Sequence, residues 1–274
     1  MLTLSPQLLE KTRQIAEQAG KYLTAFYHDV GQNLLDVQTK LDDTPVTAAD
    51  LFLSQFLIEQ LTALTPDVPI LSEENCKVPF EVRSQWQEYW LIDPLDGTQQ
   101  FINRTDHFAV LITLVQDTRP VLGIIHVPML NTTYYGMQGV GAYKKVGSEI
   151  KPLAAQLVPH DRVIKIGVGS IGAQQKVRSI LNPNYQYEFL IYGSCGLKSG
   201  LVADGTCDCY VRFGSTGEWD TAPAEALLAE IGGQVFDFDF QPLTYNQKAH
   251  FTNPNFVMVA NSTFDWHKIF QFST

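Results

Sequence analysis

The sequence predicts an α/β protein built of layered helices and sheets, and three observations carry that prediction. Capped stripes of helical period open the chain, β-rich runs joined by short turn segments fill its middle, and beyond Pro159 apolar strand-like runs alternate with helical ones. At 274 residues and 45% hydrophobic content the chain can bury a substantial core, as one large domain or two packed halves. No internal repeat or low-complexity linker interrupts it.

Ser5-Pro6 reads as a helix start, with Ser as N-cap and Pro at the first helical position. Leu8, Ile15, Ala19, Tyr22 and Phe26 then recur at helical spacing, with Glu10, Lys11, Glu17 and Lys21 interleaved. The mixed charge of that polar face favours a packed amphipathic helix over one lying on a membrane. Gly31 to Pro45 is a polar connection carrying Lys40. Thr47-Ala48-Ala49-Asp50 has the form of a capping box, and Leu53, Leu57, Leu61 and Leu64 carry the stripe of a second helix. Pro66 and Pro69 end it. Ile70-Leu71-Ser72 is a short strand running into Glu73 and Glu74. The run Tyr89-Trp90-Leu91-Ile92 ends in Asp93, followed by Pro94, Leu95, a second acid at Asp96, and Gly97-Thr98, a pair suited to opening a helix or a tight turn.

Phe108 to Val115 and Val121 to Val127 form a hairpin through Asp117-Thr118-Arg119-Pro120. Thr132 to Met137 and Gly141 to Lys144 form another, so antiparallel sheet dominates here. In the last part, strands at Val163 to Val168, Phe189 to Tyr192, Cys207 to Phe213, Val235 to Phe238 and Phe256 to Ala260 alternate with helices near Ala173 to Ile180, Leu197 to Ala203 and Thr221 to Ile231. Gly232-Gly233 stops the last of these, and a short amphipathic helix is expected at the tail.

A formal net charge of -10 argues against gripping a nucleic acid polymer, which needs clustered Lys and Arg, but is compatible with a small phosphorylated substrate held through cations. The amino end lacks the succession of a signal peptide, and no apolar run approaches a bilayer span. A soluble cytoplasmic protein is expected, with peripheral contact at a membrane left open. The four cysteines, Cys76, Cys195, Cys207 and Cys209, form no paired C-x-x-C units, so neither zinc nor a disulfide framework is expected. None of the six histidines has metal-ligand spacing, and no G-x-S-x-G segment supports serine hydrolysis.

The chemistry gathers at Asp93 to Thr98. Two carboxylates beside turn or helix-start N–H groups attract a hard cation and the phosphate oxygens it bridges. Each acid also has an ordinary reading: Asp93-Pro94 as a turn, Asp96 as a cap, Asp50 as a first-turn acid favouring the helix dipole, Glu73 as a solvated loop residue, and Asp220 in Gly217-Glu218-Trp219-Asp220-Thr221-Ala222 as an N-cap. Brought together, Glu73, Asp93, Asp96 and Asp220 would carry too much negative charge to sit unpaired, and would demand cations.

Ser72-Glu73-Glu74, Asp93-Pro94-Leu95-Asp96-Gly97-Thr98 and Trp219-Asp220-Thr221-Ala222, in this order and spacing, resemble the signature segments of the inositol monophosphatase family of Mg2+-dependent, lithium-sensitive phosphatases. Pro45 to Asp50, Thr65 to Glu74 and Tyr210-Val211-Arg212-Phe213-Gly214 resemble its CysQ-type 3'(2'),5'-bisphosphate nucleotidase branch more than its inositol branch. The resemblance implies a layered α-β-α-β-α sandwich of the inositol monophosphatase/fructose-1,6-bisphosphatase kind. It implies hydrolysis of adenosine 3',5'-bisphosphate to AMP and phosphate, in support of sulfate assimilation, with the sulfated analogue as a further substrate.

By matching position, Glu73, Asp93 and the carbonyl of Leu95 would hold one Mg2+, and Asp93, Asp96 and Asp220 a second, with a third ion near Glu73. Asp50 would accept from Thr98, whose hydroxyl orients the attacking water, while the N–H groups of Gly97 and Thr98 bind the phosphate. Ser194 and Lys198 in Gly193-Ser194-Cys195-Gly196-Leu197-Lys198 would contact the nucleotide; a solvated helix charge is the other reading of Lys198. Arg212 is a candidate for the second phosphate, and Lys40 for approach to the site from its loop. Residues 1–158 would form an α+β half carrying most metal ligands, and 159–274 an α/β half carrying Asp220 and substrate contacts. The competing expectations are a phosphatase for inositol 1-phosphate or another sugar phosphate, and a non-catalytic phosphonucleotide-binding protein.

Overall fold

A computed structural model describes residues 1–29, 38–39, 45–155 and 163–272. Lys40 and most of the polar connection around it lie outside the described residues. The side chain of Ser5 caps α1 (Pro6–His28), accepting from the Leu8 N–H at 3.2 Å. Strands β1 (Gln38–Thr39) and β2 (Pro45–Val46) pair antiparallel ahead of α2 (Ala48–Leu64). There follow β3 (Ile70–Ser72), the single turn α3 (Phe80–Arg83), β4 (Glu88–Asp96) and α4 (Thr98–Ile102). Strands β5 (Ala109–Gln116), β6 (Arg119–Val127), β7 (Thr132–Met137), β8 (Gly141–Val146) and β9 (Glu149–Pro152) run as a meander. The last part holds β10 (Ile164–Val168), α5 (Ile171–Arg178), β11 (Tyr187–Ile191), α6 (Cys195–Ala203) and β12 (Cys209–Arg212). It ends with α7 (Glu218–Ile231), β13 (Gln234–Asp237) and β14 (Phe256–Val259).

Strands β3 to β9 form one seven-stranded sheet in chain order, antiparallel except where β3 joins β4. A five-stranded sheet has the order β11-β10-β12-β14-β13, in which β10, β11 and β12 are parallel. Alternation along the strands sorts the apolar residues into three layers. Leu23, Leu53, Leu57 and Leu61 of α1 and α2 meet Trp90, Ile92, Ile112 and Ile124 on the outer face of the large sheet. Its inner face presents Leu91, Leu111 and Ile125 to Leu197 of α6 and Leu227 and Leu228 of α7, which Tyr210, Phe256 and Met258 of the small sheet cover from the other side. Val177 of α5, with Trp266 and Phe270, closes the far face of the small sheet over Ile166, Val211 and Val257. The result is the expected α-β-α-β-α sandwich. Each fully buried Leu or Ile contributes roughly 1.5–3 kcal/mol, which is why the long stripes dictate the layering.

Several boundaries differ from expectation. The tail has a 3-10 turn at Trp266–Lys268 instead of an amphipathic helix, because Trp266 and Phe270 are drawn into the core. The first hairpin turns on two residues, Asp117 and Thr118, with φ of 46° and 63°; Arg119 and Pro120 already belong to β6. Helix α7 begins at Glu218, which makes Gly217 the N-cap and moves Asp220 into the first turn. Nor does β4 end at Asp93. It runs through Pro94 to Asp96 because a bulge removes Pro94 from the pairing, which is how a proline is accommodated within a central strand's span. Among the described residues no helix is long and apolar enough to cross a membrane.

Candidate functional site

The parallel register sets Leu71 beside Leu91 and Ser72 beside Ile92, so the next step brings Glu73 beside Asp93, and the Glu73 N–H donates to the Ile92 carbonyl at 3.0 Å. Asp93 shares a strand face with Tyr89 and Leu91, toward the layer that holds α7. In a regular strand Asp96, an odd number of residues on, would point the other way. Asp93 pairs with Leu111 and Asp96 with Ala109, three steps against two, and this extra residue returns Asp96 to the face of Asp93. From the opposite layer the first turn of α7 supplies Asp220. One carboxylate oxygen from each of Asp93, Asp96 and Asp220 lies within 4.8 Å of the others.

These acids strain against one another. Burial drives the Asp93 carboxyl well above the usual range, and the charges of Glu73, Asp96 and Asp220 push it further, against the Leu95 N–H that donates to it at 2.9 Å. Asp220 is raised by burial and then by Asp96 and Glu73, although the Gly217 N–H donates to it at 2.6 Å. A hard divalent cation relieves this repulsion, and oxygen donors from three carboxylates fit such an ion.

Asp96 is held by the amino end of α6. The N–H groups of Cys195 and Gly196 donate to it at 3.2 and 2.6 Å, and the Ser194 hydroxyl donates to it as well as capping Leu197 at 3.0 Å. Ser194 therefore lines the cavity, but with its proton committed to Asp96. Lys198 does not meet the expectation of a nucleotide contact, nor that of a solvated charge. It is fully buried, and its ammonium donates to the carbonyls of Tyr192, Gly193 and Ser194 at 3.1, 2.6 and 2.5 Å, which uses all three donors. Desolvation lowers its pKa to about 8.

Asp50 lies buried at the start of α2. One carboxylate oxygen accepts from the Thr47 N–H at 2.7 Å, and the other lies 3.1 Å from the Thr98 hydroxyl, which is also 3.2 Å from the carbonyl of Leu95. The capping role and the contact to Thr98 thus use different oxygens of the same side chain. Gly97, at φ 91° and with the His107 carbonyl against the place a Cβ would take, makes the turn from β4 into α4.

The acids stand in a cavity of about 910 Å³. Its far wall is built at the carboxyl ends of the parallel strands β10, β11 and β12, from the turns around Ser170, Gly193 and Arg212. Arg212 is half-buried, donates to the Ser215 carbonyl at 3.3 Å, and has a buried Nε with no partner. Phe213, Trp219 and Lys176 also line the cavity, a role the sequence did not suggest for them. Their signal was the strand-then-turn pattern after β10 and β12, legible only once those strands are known to be parallel neighbours.

Residues 6–264 match the inositol monophosphatase family. A protein of Aggregatibacter actinomycetemcomitans named 3'(2'),5'-bisphosphate nucleotidase CysQ is 59% identical over 98% of this chain and 99% of its own length. A Haemophilus influenzae protein of the same name is 57% identical over the full length of both. The crystal structure of CysQ from Bacteroides thetaiotaomicron, a bacterial member of the inositol monophosphatase family, matches with a TM-score of 0.76 at 30% identity, over 92% of this chain and 96% of that one. The similarity runs through both the sheet that carries Asp93 and the helix that carries Asp220, and the chain belongs to the inositol monophosphatase family.

Proposed function

We propose that this chain is a Mg2+-dependent 3'(2'),5'-bisphosphate nucleotidase that hydrolyses adenosine 3',5'-bisphosphate to AMP and phosphate. The observation that carries the chemistry is the convergence of Asp93, Asp96 and Asp220 beside the Asp50–Thr98 pair. Full-length relatives at 57–59% identity that bear this activity in their name support the substrate class.

In this reading Glu73, Asp93, the carbonyl of Leu95, Asp96 and Asp220 would hold two or three Mg2+ ions. Bound there, such ions would supply charge neutralisation at the phosphoryl oxygens and a lowered pKa for water. The Thr98 hydroxyl donates a hydrogen bond to Asp50 across 3.1 Å and keeps its proton, which leaves the lone pairs of its oxygen to accept from the attacking water and fix its direction. The oxygen of water adds to phosphorus as the water gives up a proton, the bond to the 3'-oxygen breaks and that oxygen takes up a proton from solvent, so the products are AMP and phosphate and no protein nucleophile is needed. The N–H groups of Gly97 and Thr98 receive the phosphate, and Arg212, with its unpartnered Nε, receives the second one. Ser194 contributes by holding Asp96. The division of labour is between residues 1–158, which supply most ligands, and 159–274, which supply Asp220 and Arg212.

Phosphate release should be measured with adenosine 3',5'-bisphosphate, its sulfated analogue, inositol 1-phosphate and fructose 1,6-bisphosphate, each with and without Mg2+. Turnover of the first in a Mg2+-dependent manner is expected. A clear preference for inositol 1-phosphate, or tight binding with no phosphate released, overturns the proposal.

A further inference from the structure

Arg83 touches neither the acids nor the cavity, yet it is bonded into the segment that fixes the entry to α7. It is 1% exposed, and burying an unpaired cation costs several kcal/mol, so its partners must be specific. The guanidinium donates through Nη1 to the side-chain carbonyl of Asn246 and through Nη2 to the carbonyls of Lys248 and Ala249, at 2.8 Å each. The rings of Phe251 and Phe80 lie 4.1 and 5.0 Å from its central carbon. The Asn246 amide donates back to the Arg83 carbonyl at 2.7 Å. Residues 246–253 have no helix or strand of their own and form a single bridge, Gly217 to Thr252, so these bonds hold the segment in place.

The same segment then grips the turn that enters α7. The Asn246 N–H donates to the buried Glu218 carboxylate at 2.7 Å, and the Glu218 N–H donates to the Phe251 carbonyl at 2.9 Å. The Asn253 N–H donates to the Thr216 carbonyl at 2.9 Å, and its side chain donates to the Gly217 carbonyl at 2.6 Å. Phe251, against one side of which Arg83 stacks, lies 5.5 Å from the ring of Trp219, the cavity residue next to Asp220. We infer that Arg83 is a positioning residue: through segment 246–253 it fixes residues 216–220 and sets Asp220 against the carboxylates of the large sheet. This rests on the reading of Asp220 as a metal ligand.

The test uses Mn2+ as probe, with bound ion counted from the loss of the free-ion paramagnetic resonance signal in the full chain. Asn246 has φ 56°, so its side chain is best removed as Asn246→Gly, which keeps that backbone. Asp220→Asn and Arg83→Met should each weaken Mn2+ binding about 10–100-fold, and Asn246→Gly about tenfold, with Arg83→Lys between Met and wild type. The Mg2+ concentration for half-maximal activity should rise in parallel, while KM for the nucleotide at saturating Mg2+ stays within about twofold. If Asp220→Asn leaves Mn2+ binding unchanged, the metal reading itself fails. If Asp220→Asn weakens it and folded Arg83→Met and Asn246→Gly do not, the positioning role alone is overturned. Should Arg83→Met not fold, Asn246→Gly decides the matter.

Discussion

Thr98 has one proton and two oxygens competing for it, Asp50 at 3.1 Å and Leu95 at 3.2 Å. If Leu95 is engaged by a cation, the proton is left to Asp50 and the threonine oxygen is directed at water. Thr98→Val keeps the shape and removes this choice, so kcat should fall by about 100-fold or more while the fold persists, as steady-state kinetics and circular dichroism would show. Lys198 illustrates the opposite case, a charge that looks like a ligand contact and is spent on the backbone. Lys198→Met should leave the Tyr192, Gly193 and Ser194 carbonyls unsatisfied and destabilise the protein by about 1–3 kcal/mol in urea titration. Because those residues carry the cap that holds Asp96, kcat should drop with little change in KM; a large rise in KM alone would restore a direct substrate contact.

Helix α1 sits so close to β6 that a Cβ on Gly20 would come within 2.3 Å of the His126 ring, at Cδ2 and Nε2. Thr133 lies 3.2 Å from Glu17, which as a carboxylate only accepts, so Thr133 donates to it and His126 Nδ1 donates to Thr133 at 2.9 Å. The bare Nε2 then faces Gly20. Burial lowers the His126 pKa from 6.5 to about 4. The folded state thus binds fewer protons than the unfolded chain between these values. The stability His126 contributes is present above pH 6.5 and is lost as pH falls toward 4, by about 1.4 kcal/mol per unit. His126→Gln should flatten the acid limb of a plot of Tm against pH. None of this closeness was legible in Gly20 or His126 alone, because each helix or strand looks ordinary until the two are docked. The helix and strand runs themselves were legible, as was the ordered placing of Glu73, Asp93, Asp96 and Asp220 at element ends. The ordinary alternative for Asp220, an N-cap, does not hold because Gly217, with no side chain to advertise it, takes that position.

Across the whole molecule, the acids arrive from two layers: Asp93 and Asp96 from the large sheet, and Asp220 from a helix packed between the sheets. A cation held by all of them binds the folded chain and not the unfolded one. Mg2+ at about 100 times its Kd should stabilise the protein by about 2.7 kcal/mol and raise Tm by about 5 °C, and a chelator should reverse this in calorimetry. Asp220→Asn should remove most of the gain. The bulge in β4 gives the sandwich a different vulnerability, one of counting. Lengthening β5 by one residue between Ala109 and Leu111 changes no acid, yet it sets three steps against three, closes the bulge and turns Asp96 away from Asp93, into the apolar layer of Trp90, Ile92 and α2. What must be kept at this corner is the one-residue mismatch between the two strands as much as the aspartates themselves, and a β5 longer by one there would bury a charge where the chain had held a ligand.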